Sequence, residues 1–289
     1  MNKILVTGAT GQLGKTVVEI LVKKISPQQI NVLSRKEENL VAMKAQGFNT
    51  FVGSYEDIAA LEKAMQGVDT VLLISSGDQG SRMQEHKNVI DTAKRCGVKN
   101  LAYTSRALRD RNTLANKLMK EHFETEDCII DSGLSYIFFR NALYMDGIPQ
   151  FVGGNMAIER GIFQPAGDGK VAFALRSEMG EAMANVLLND DFENKIYNFT
   201  GNKVYSFYDI ATSLSELSGK PVKYTDIDEN TFAGMMKQRN LPDFLIQKII
   251  DFITDIKHNQ EADIYPDLEN ILGRKPTSLK DGLKILFGL

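Results

Sequence analysis

Residues 3–36 read KILVTGATGQLGKTVVEILVKKISPQQINVLSRK, which sets a strand, a turn with three glycines, a helix and a second strand ending at Arg35 in direct succession. Ile4, Leu5 and Val6 form the short apolar run of a strand buried on both faces. Gly8, Gly11 and Gly14 follow at GxxGxxG spacing. At such a turn the first glycine takes backbone angles that a side chain forbids, the second lets the main chain approach a pyrophosphate, and the third lets the helix lie close to the strand. Val17, Val18, Leu21 and Val22 then recur at helical spacing, and the free N–H groups at the start of that helix suit an anion. Glycine-rich turns also occur for steric reasons alone, but the full unit of about 30 residues makes this one a dinucleotide-binding turn.

The second strand, Ile30 to Leu33, ends at Ser34-Arg35-Lys36, where an NAD-selective chain carries an acidic residue for the ribose 2′-hydroxyl. A guanidinium there suits a 2′-phosphate, because its planar fork makes two parallel hydrogen bonds to phosphate oxygens. NADPH is therefore the expected cofactor, the plainer alternative being a solvated charge after a strand.

The chain has 289 residues, 43% of them hydrophobic, enough for a full α/β domain with an appended region. A net charge of −3 and the lack of any basic run argue against nucleic-acid binding. The first strand begins at once and no stretch approaches the ~18 apolar residues of a membrane span, so a cytoplasmic location without membrane insertion is expected. Cys96 and Cys128 have no CxxC or Cys/His spacing and read as helix packing, while His86, His122 and His258 are too scattered for a metal site.

Further strands are read at Thr50 to Gly53, Thr70 to Ser75, Asn100 to Ser105 and Ser135 to Arg140, with helical segments at 56–66, 84–96 and 117–132 between them. That alternation predicts an α/β fold, a Rossmann-type doubly wound parallel sheet over residues 1–146 whose ligand lies at the carboxyl ends of the strands. Residues 147–289 read as a smaller mixed α/β C-terminal domain on the substrate side. Within it, Gly161 to Pro165 and Val171 to Leu175 look like strands around the turn 166–170, and Ser177 to Leu188 like a helix with a Ser/Glu start. Lys195 to Thr200 reads as a strand able to rejoin the main sheet, Ser206 to Leu217 as a helix closed by Gly219, and Pro221 to Asp226 as a strand. Helices near 228–240, 243–257 and 278–287 complete the chain.

The strand ends carry Ser75, Ser76 and Gly77, small enough for adenosine and phosphates to pass close, although this is also ordinary loop composition. No tyrosine is followed four residues later by lysine: Tyr103 leads to Ala107, Tyr136 to Arg140 and Tyr144 to Ile148. The proton relay of alcohol and ketone chemistry is thus missing. A quinone or another conjugated aromatic electrophile, which spreads the arriving charge over its own atoms, fits better, with water or a weak donor finishing the reaction. Tyr144 is placed to stack on such an acceptor and Asn141 to hold its oxygen or the nicotinamide carboxamide; Tyr144 closing the core is the alternative.

TGATGQLG resembles the TGxxGxxG motif of atypical and extended short-chain dehydrogenase/reductases. Together with LLISS at 72–76, AYTS at 102–105, EHFETE at 121–126 and SGLSYIFFRNALY at 132–144, it resembles their NmrA-like branch. AGDGKVAFALR at 166–176, ENKIYNFTG at 193–201 and LSELSGKPVKY at 214–224 carry the likeness almost end to end, toward the bacterial type 2 NADPH:quinone oxidoreductases and triphenylmethane dye reductases. The resemblance implies hydride transfer from NADPH to a quinone-like acceptor. It implies phosphate contacts from Gly8, Ala9, Thr10, Gly11, Gln12, Leu13 and Arg35, nucleotide contacts from Ser75, Ser76 and Gly77, and positions at the nicotinamide and acceptor for Asn141 and Tyr144. Arg176 is implied to face the cofactor, the alternative being a surface charge at the head of a helix.

His122 lies on the helix where lignin-pathway and isoflavone-type relatives place a catalytic lysine, and Lys120 cannot face the same way. His122 is either a proton donor to the reduced acceptor or a packed bystander. NmrA-like proteins also include regulators that bind dinucleotide without catalysis, so a cofactor sensor is the second functional reading. The enzymes are the nearer resemblance, and no added interaction helix, tail or basic patch supports the sensor.

Overall fold

Every residue of Ile4–Val6, Ile30–Ser34 and Thr70–Leu73 is buried, the mark of strands covered on both faces. The computed structural model describes residues 3–77, 81–189 and 192–289. Its strands in chain order are β1 (Ile4–Val6), β2 (Ile30–Ser34), β3 (Asn49–Val52), β4 (Thr70–Leu73), β5 (Asn100–Arg106), β6 (Ser135–Asn141), β7 (Ile162–Gln164), β8 (Lys170–Val171), β9 (Lys195–Phe199), β10 (Tyr205–Ser206) and β11 (Tyr224–Asp226). Seven of them form one sheet in the order β3-β2-β1-β4-β5-β6-β9. β1 pairs in parallel with β2 on one side and β4 on the other, Ile4 lying opposite both Ile30 and Thr70. β2 with β3 and β4 with β5 are also parallel, so the order reverses between β1 and β4, where a doubly wound sheet opens a crevice at its carboxyl edge. Asn31 is tolerated inside β2 because its Nδ2 donates to the Ala64 carbonyl at 2.6 Å and its Oδ1 accepts from Asn49.

The helix Gln12–Leu21 buries Leu13, Gly14, Val17, Val18 and Leu21 along one stripe. Two of its turn's glycines are fixed by geometry. Gly8 has φ +57°, and a Cβ on Gly14 would lie 2.3 Å from the Gly8 carbonyl oxygen and 2.9 Å from Ala9 Cα.

By its contacts the chain divides into two compact units, each with its own apolar core. The first comprises Met1–Arg106, Glu121–Arg140 and Ser177–Tyr197; the second comprises Ala107–Lys120, Asn141–Arg176 and Asn198–Leu289. Cys96 and Cys128 are free thiols against the first core, and burial raises the pKa of both. His86 and His122 are buried in the same unit. Desolvation and the neighbouring Arg82 charge push His86 down to about 3, and the same causes hold His122 well below the ordinary histidine range.

In the second unit the strands on either side of the turn 166–170 find partners elsewhere, and the one expected at Val171 to Leu175 is only Lys170–Val171. β7 pairs in parallel with β11, and β8 is short and pairs antiparallel with β10. The turn itself is docked on the end of the helix Asp243–Lys257: a Cβ on Gly169 would lie 2.4 Å from the Ile256 carbonyl oxygen, and Lys170 N–H donates to Asn259 Oδ1 at 3.0 Å. That docking separates the two arms. The helix Arg176–Leu187 starts one residue before the Ser/Glu signal, because the Asp146 carboxylate accepts the Arg176 N–H at 2.8 Å. The helix Phe207–Ser218 is opened by a Ser206/Asp209 capping box and closed by Gly219 at φ +69°.

Gly14→Ala forces the new methyl into backbone and should lower stability by about 1–3 kcal/mol, whereas Gly77→Ala, with open space around it, should stay within about 0.5 kcal/mol. Thermal unfolding of the two ligand-free variants against wild type measures both. For the histidines, the folded pKa lies below the ordinary value of 6.5, so the unfolded chain binds more protons between that value and about pH 3. Their contribution to stability is complete above about pH 6.5 and falls by about 1 kcal/mol per pH unit per buried histidine below it. The melting temperature should therefore drop between pH 7 and pH 5, and less steeply in His86→Gln; an identical slope in that variant would mean that His86 titrates normally.

Candidate functional site

A cleft of about 800 Å³ opens at the carboxyl ends of β1 to β4, within the size range of small-molecule sites. Gly8, Thr10 and Gly11 border it after β1, Ser34, Arg35 and Lys36 after β2, Tyr55 after β3, and Ser75, Ser76 and Gly77 after β4. The helix Gln12–Leu21 starts here with Gly11 at its cap, no side chain capping it and no acidic residue in its first turn. Its first N–H groups therefore remain available to an anion. Ala9 and Leu13 are buried, which leaves their backbones as their means of contact, and Gln12 is the exposed first residue of the helix.

Arg35 is exposed and has no ion-pair partner among the described residues. Lys36 pairs with Glu38 at 3.4 Å on the exposed rim. Thr10 Oγ1 lies 3.1 Å from Ser34 Oγ, tying the glycine turn to the end of β2. The donor set is thus two cations, a glycine cradle and an uncapped helix start. It fits a pyrophosphate with a further phosphate near β2.

Buried and half-buried side chains hold the cleft's floor. Thr7 Oγ1 donates to the Leu72 carbonyl at 3.0 Å and accepts from Ile74 N–H at 3.0 Å, bridging β1 and β4. The Tyr55 hydroxyl lies 2.7 Å from Thr7 Oγ1 and 2.8 Å from the Ile74 carbonyl, and burial raises its pKa, keeping it protonated. Ser75 N–H donates to Thr104 Oγ1 at 2.8 Å, and Ser76 N–H to His86 Nε2 at 3.0 Å. Both backbone donors are engaged with side chains of the interior, so these residues cannot offer the same N–H groups to a phosphate. A sequence signal for His86 exists: it falls on the helical stripe continued by Val89, Ile90 and Ala93, all buried.

His122 is not placed to deliver a proton. It is buried and neutral, with Nδ1 2.9 Å from the Tyr103 hydroxyl and Nε2 3.3 Å from Arg82 Nη1. An arginine N–H always donates, so Nε2 carries no proton, and the donor reading gives way to the packed one. Arg140, at the end of β6, is bound in two parallel hydrogen bonds by the buried Glu126, at 2.9 and 2.5 Å.

In the second unit, Asn141, Tyr144 and Arg176 lie together. Asn141 Nδ2 donates to the Tyr144 hydroxyl at 3.3 Å, and the Arg176 guanidinium stands 4.5 Å from the centre of the Tyr144 ring. Arg176 is also 3.9 Å from the Asp146 carboxylate. Asn141 Oδ1 is buried without a hydrogen-bond partner among the described residues, an acceptor whose lone pairs are unused.

A model of the NmrA-like family matches residues 1–285. Over 287 residues the chain is 37% identical to quinone oxidoreductase 2 of Escherichia coli, with 99% of each chain covered. Among solved structures, an NADPH-dependent quinone oxidoreductase from Escherichia coli complexed with NADPH matches with a TM-score of 0.89 at 36% identity, over 98% of this chain and 99% of that one. The Citrobacter sp. triphenylmethane reductase complexed with NADP(H) matches with a TM-score of 0.90 at 32% identity, over 98% of this chain and 99% of its own. Since the likeness extends from the glycine turn through both compact units to the last helix, the chain belongs to the NmrA-like family.

Proposed function

We propose that this protein is an NADPH-dependent reductase that passes a hydride to a quinone or a comparably conjugated electrophile, azo and triarylmethane dyes included. The observation that carries this reading is the end of β2, where Arg35 and Lys36 border the same cleft as the uncapped helix start and no carboxylate takes the place of a ribose-binding acid. The quinone oxidoreductase and dye reductase relatives, solved with NADPH and NADP(H), support it.

The first-turn N–H groups at Gln12 and Leu13 bind the pyrophosphate, and the Arg35 fork binds the 2′-phosphate through two parallel hydrogen bonds. Ser75, Ser76 and Gly77 border the adenosine side. Bound NADPH supplies the hydride. The free Asn141 Oδ1 accepts from the nicotinamide carboxamide, Tyr144 stacks on the flat acceptor, and Arg176 adds positive charge toward the cofactor. No tyrosine has a lysine four residues on to relay a proton, so water completes the balance: NADPH, a proton and a quinone give NADP⁺ and a hydroquinone. The residues beyond about 147 supply the acceptor side. We place the protein in the cytoplasm, a setting that suits two unpaired thiols.

Arg35→Ala should weaken NADPH binding about 10- to 100-fold, the worth of charge-assisted hydrogen bonds, and NADH binding less than about threefold. Fluorescence titration with each nucleotide reads the ratio, and equal losses would sink the 2′-phosphate assignment. Purified protein mixed with NADPH and a series of benzoquinones and naphthoquinones should oxidise the nicotinamide above background with at least one acceptor. Tight NADPH binding with no oxidation by any of them would favour the cofactor sensor.

A further inference from the structure

Behind the cleft, a buried chain of hydrogen bonds runs in one direction. Ser76 N–H donates to His86 Nε2 at 3.0 Å, so that nitrogen carries only its lone pair. The ring is neutral, its pKa pushed down to about 3 by burial and by Arg82, and its single proton therefore sits on Nδ1. Nδ1 is 2.9 Å from Thr125 Oγ1, which accepts that proton's hydrogen bond and sends its own hydrogen to the Glu121 carbonyl at 2.8 Å. Met83 Sδ, at 3.5 Å, and the Tyr103 hydroxyl are the alternative acceptors, and in each case Thr125 Oγ1 still accepts from His86. The Tyr103 ring meets the imidazole edge-on with centroids 5.4 Å apart and closes its other side. Thr125 and His86 are fully buried, and neither has a part in the proposed reaction.

We propose that Thr125 is a positioning residue for the dinucleotide: its hydroxyl fixes the tautomer of His86, and the bare Nε2 so produced holds Ser76 and the loop after β4 where the nucleotide passes. This rests on the dinucleotide reading of the cleft. Were the proton on Nε2, it would face the Ser76 N–H, two donors would oppose each other, and the loop would swing away from its seat. Ser76 Oγ, 3.4 Å from the same nitrogen, would move with it. A tautomer set by a hydrogen bond on the far nitrogen is how histidines are commonly oriented at metal and catalytic sites, and here it orients backbone. Because the loop borders the part of the nucleotide common to both cofactors, the effect is the same for NADPH and NADH, unlike that of Arg35.

Thr125→Val keeps the shape and removes the hydroxyl, and Thr125→Ser keeps the hydroxyl. Fluorescence titration should show binding of both NADPH and NADH weakened by the same factor, about five- to tenfold, in Thr125→Val, and recovery to within about twofold of wild type in Thr125→Ser. Long-range proton–nitrogen NMR of the ligand-free proteins should show His86 protonated on Nδ1 alone in wild type and Thr125→Ser, with the Nε2 tautomer appearing in Thr125→Val, a change that a purely packing role for Thr125 would not produce. An Nε2-protonated His86 in wild type would overturn the proposal, as would a Thr125→Val variant that keeps the Nδ1 tautomer, or one that melts earlier yet binds both nucleotides like wild type. A wild-type protein that binds neither nucleotide would remove the dinucleotide reading and this proposal with it, an outcome told apart by the failure of the parent protein.

Discussion

The helix Gln12–Leu21 begins in contact with the backbone of the turn from which it grows, and the rest of the cleft depends on that approach. Gly14 permits it: a side chain there would occupy the space of the Gly8 carbonyl. The approach leaves the helix start at the edge of the sheet with no side chain over its first N–H groups. A Ser, Thr or Asp at the cap would stabilise the helix over glycine by roughly a few tenths of a kcal/mol and would engage those donors. Gly11 at that position leaves the donors to a ligand, so local stability is given up where an anion has to bind.

The loops at the carboxyl edge are held by side chains from beneath, and their shape is set before any ligand arrives. Thr7 and Tyr55 join the ends of β1 and β4, Thr10 and Ser34 join the glycine turn to β2, and Thr104 and His86 take the backbone donors of Ser75 and Ser76. Preorganisation of this sort spares part of the ordering cost of binding. In the second unit a similar economy joins Asn141, Tyr144, Arg176 and Asp146 through an amide, an aromatic face and an ion pair.

The sheet and the phosphate end of the site were legible because each rests on local rules. Apolar runs of the right length give the buried strands, glycine spacing gives the turn, and Arg35 follows from counting along the unit. The floor of the cleft was not legible. Tyr55, Thr104 and His86 act through partners far away in sequence, and nothing near them in the chain reveals which backbone group each will meet. For the same reason His122 reads equally well as donor or filler until Arg82 and Tyr103 are seen around it. The turn at 166–170 is a related case: its glycines are visible locally, but Gly169 answers to the helix Asp243–Lys257, some 80 residues on. Helices as short as Ile148–Val152 and Met156–Arg160 hold too few residues to show a period.

The last strand of the main sheet, β9, comes from residues 195–199, after much of the second unit has already passed. Each unit is assembled from three pieces of chain that alternate with the pieces of the other. Neither can be cut out as one contiguous fragment. On the ribosome the nucleotide turn is made first, yet the edge strand of its sheet emerges only after about two thirds of the chain, so the nascent protein carries an unfinished sheet edge through most of its synthesis. The order of translation thus exposes the protein to wrong strand pairing at a stage that the finished fold no longer shows.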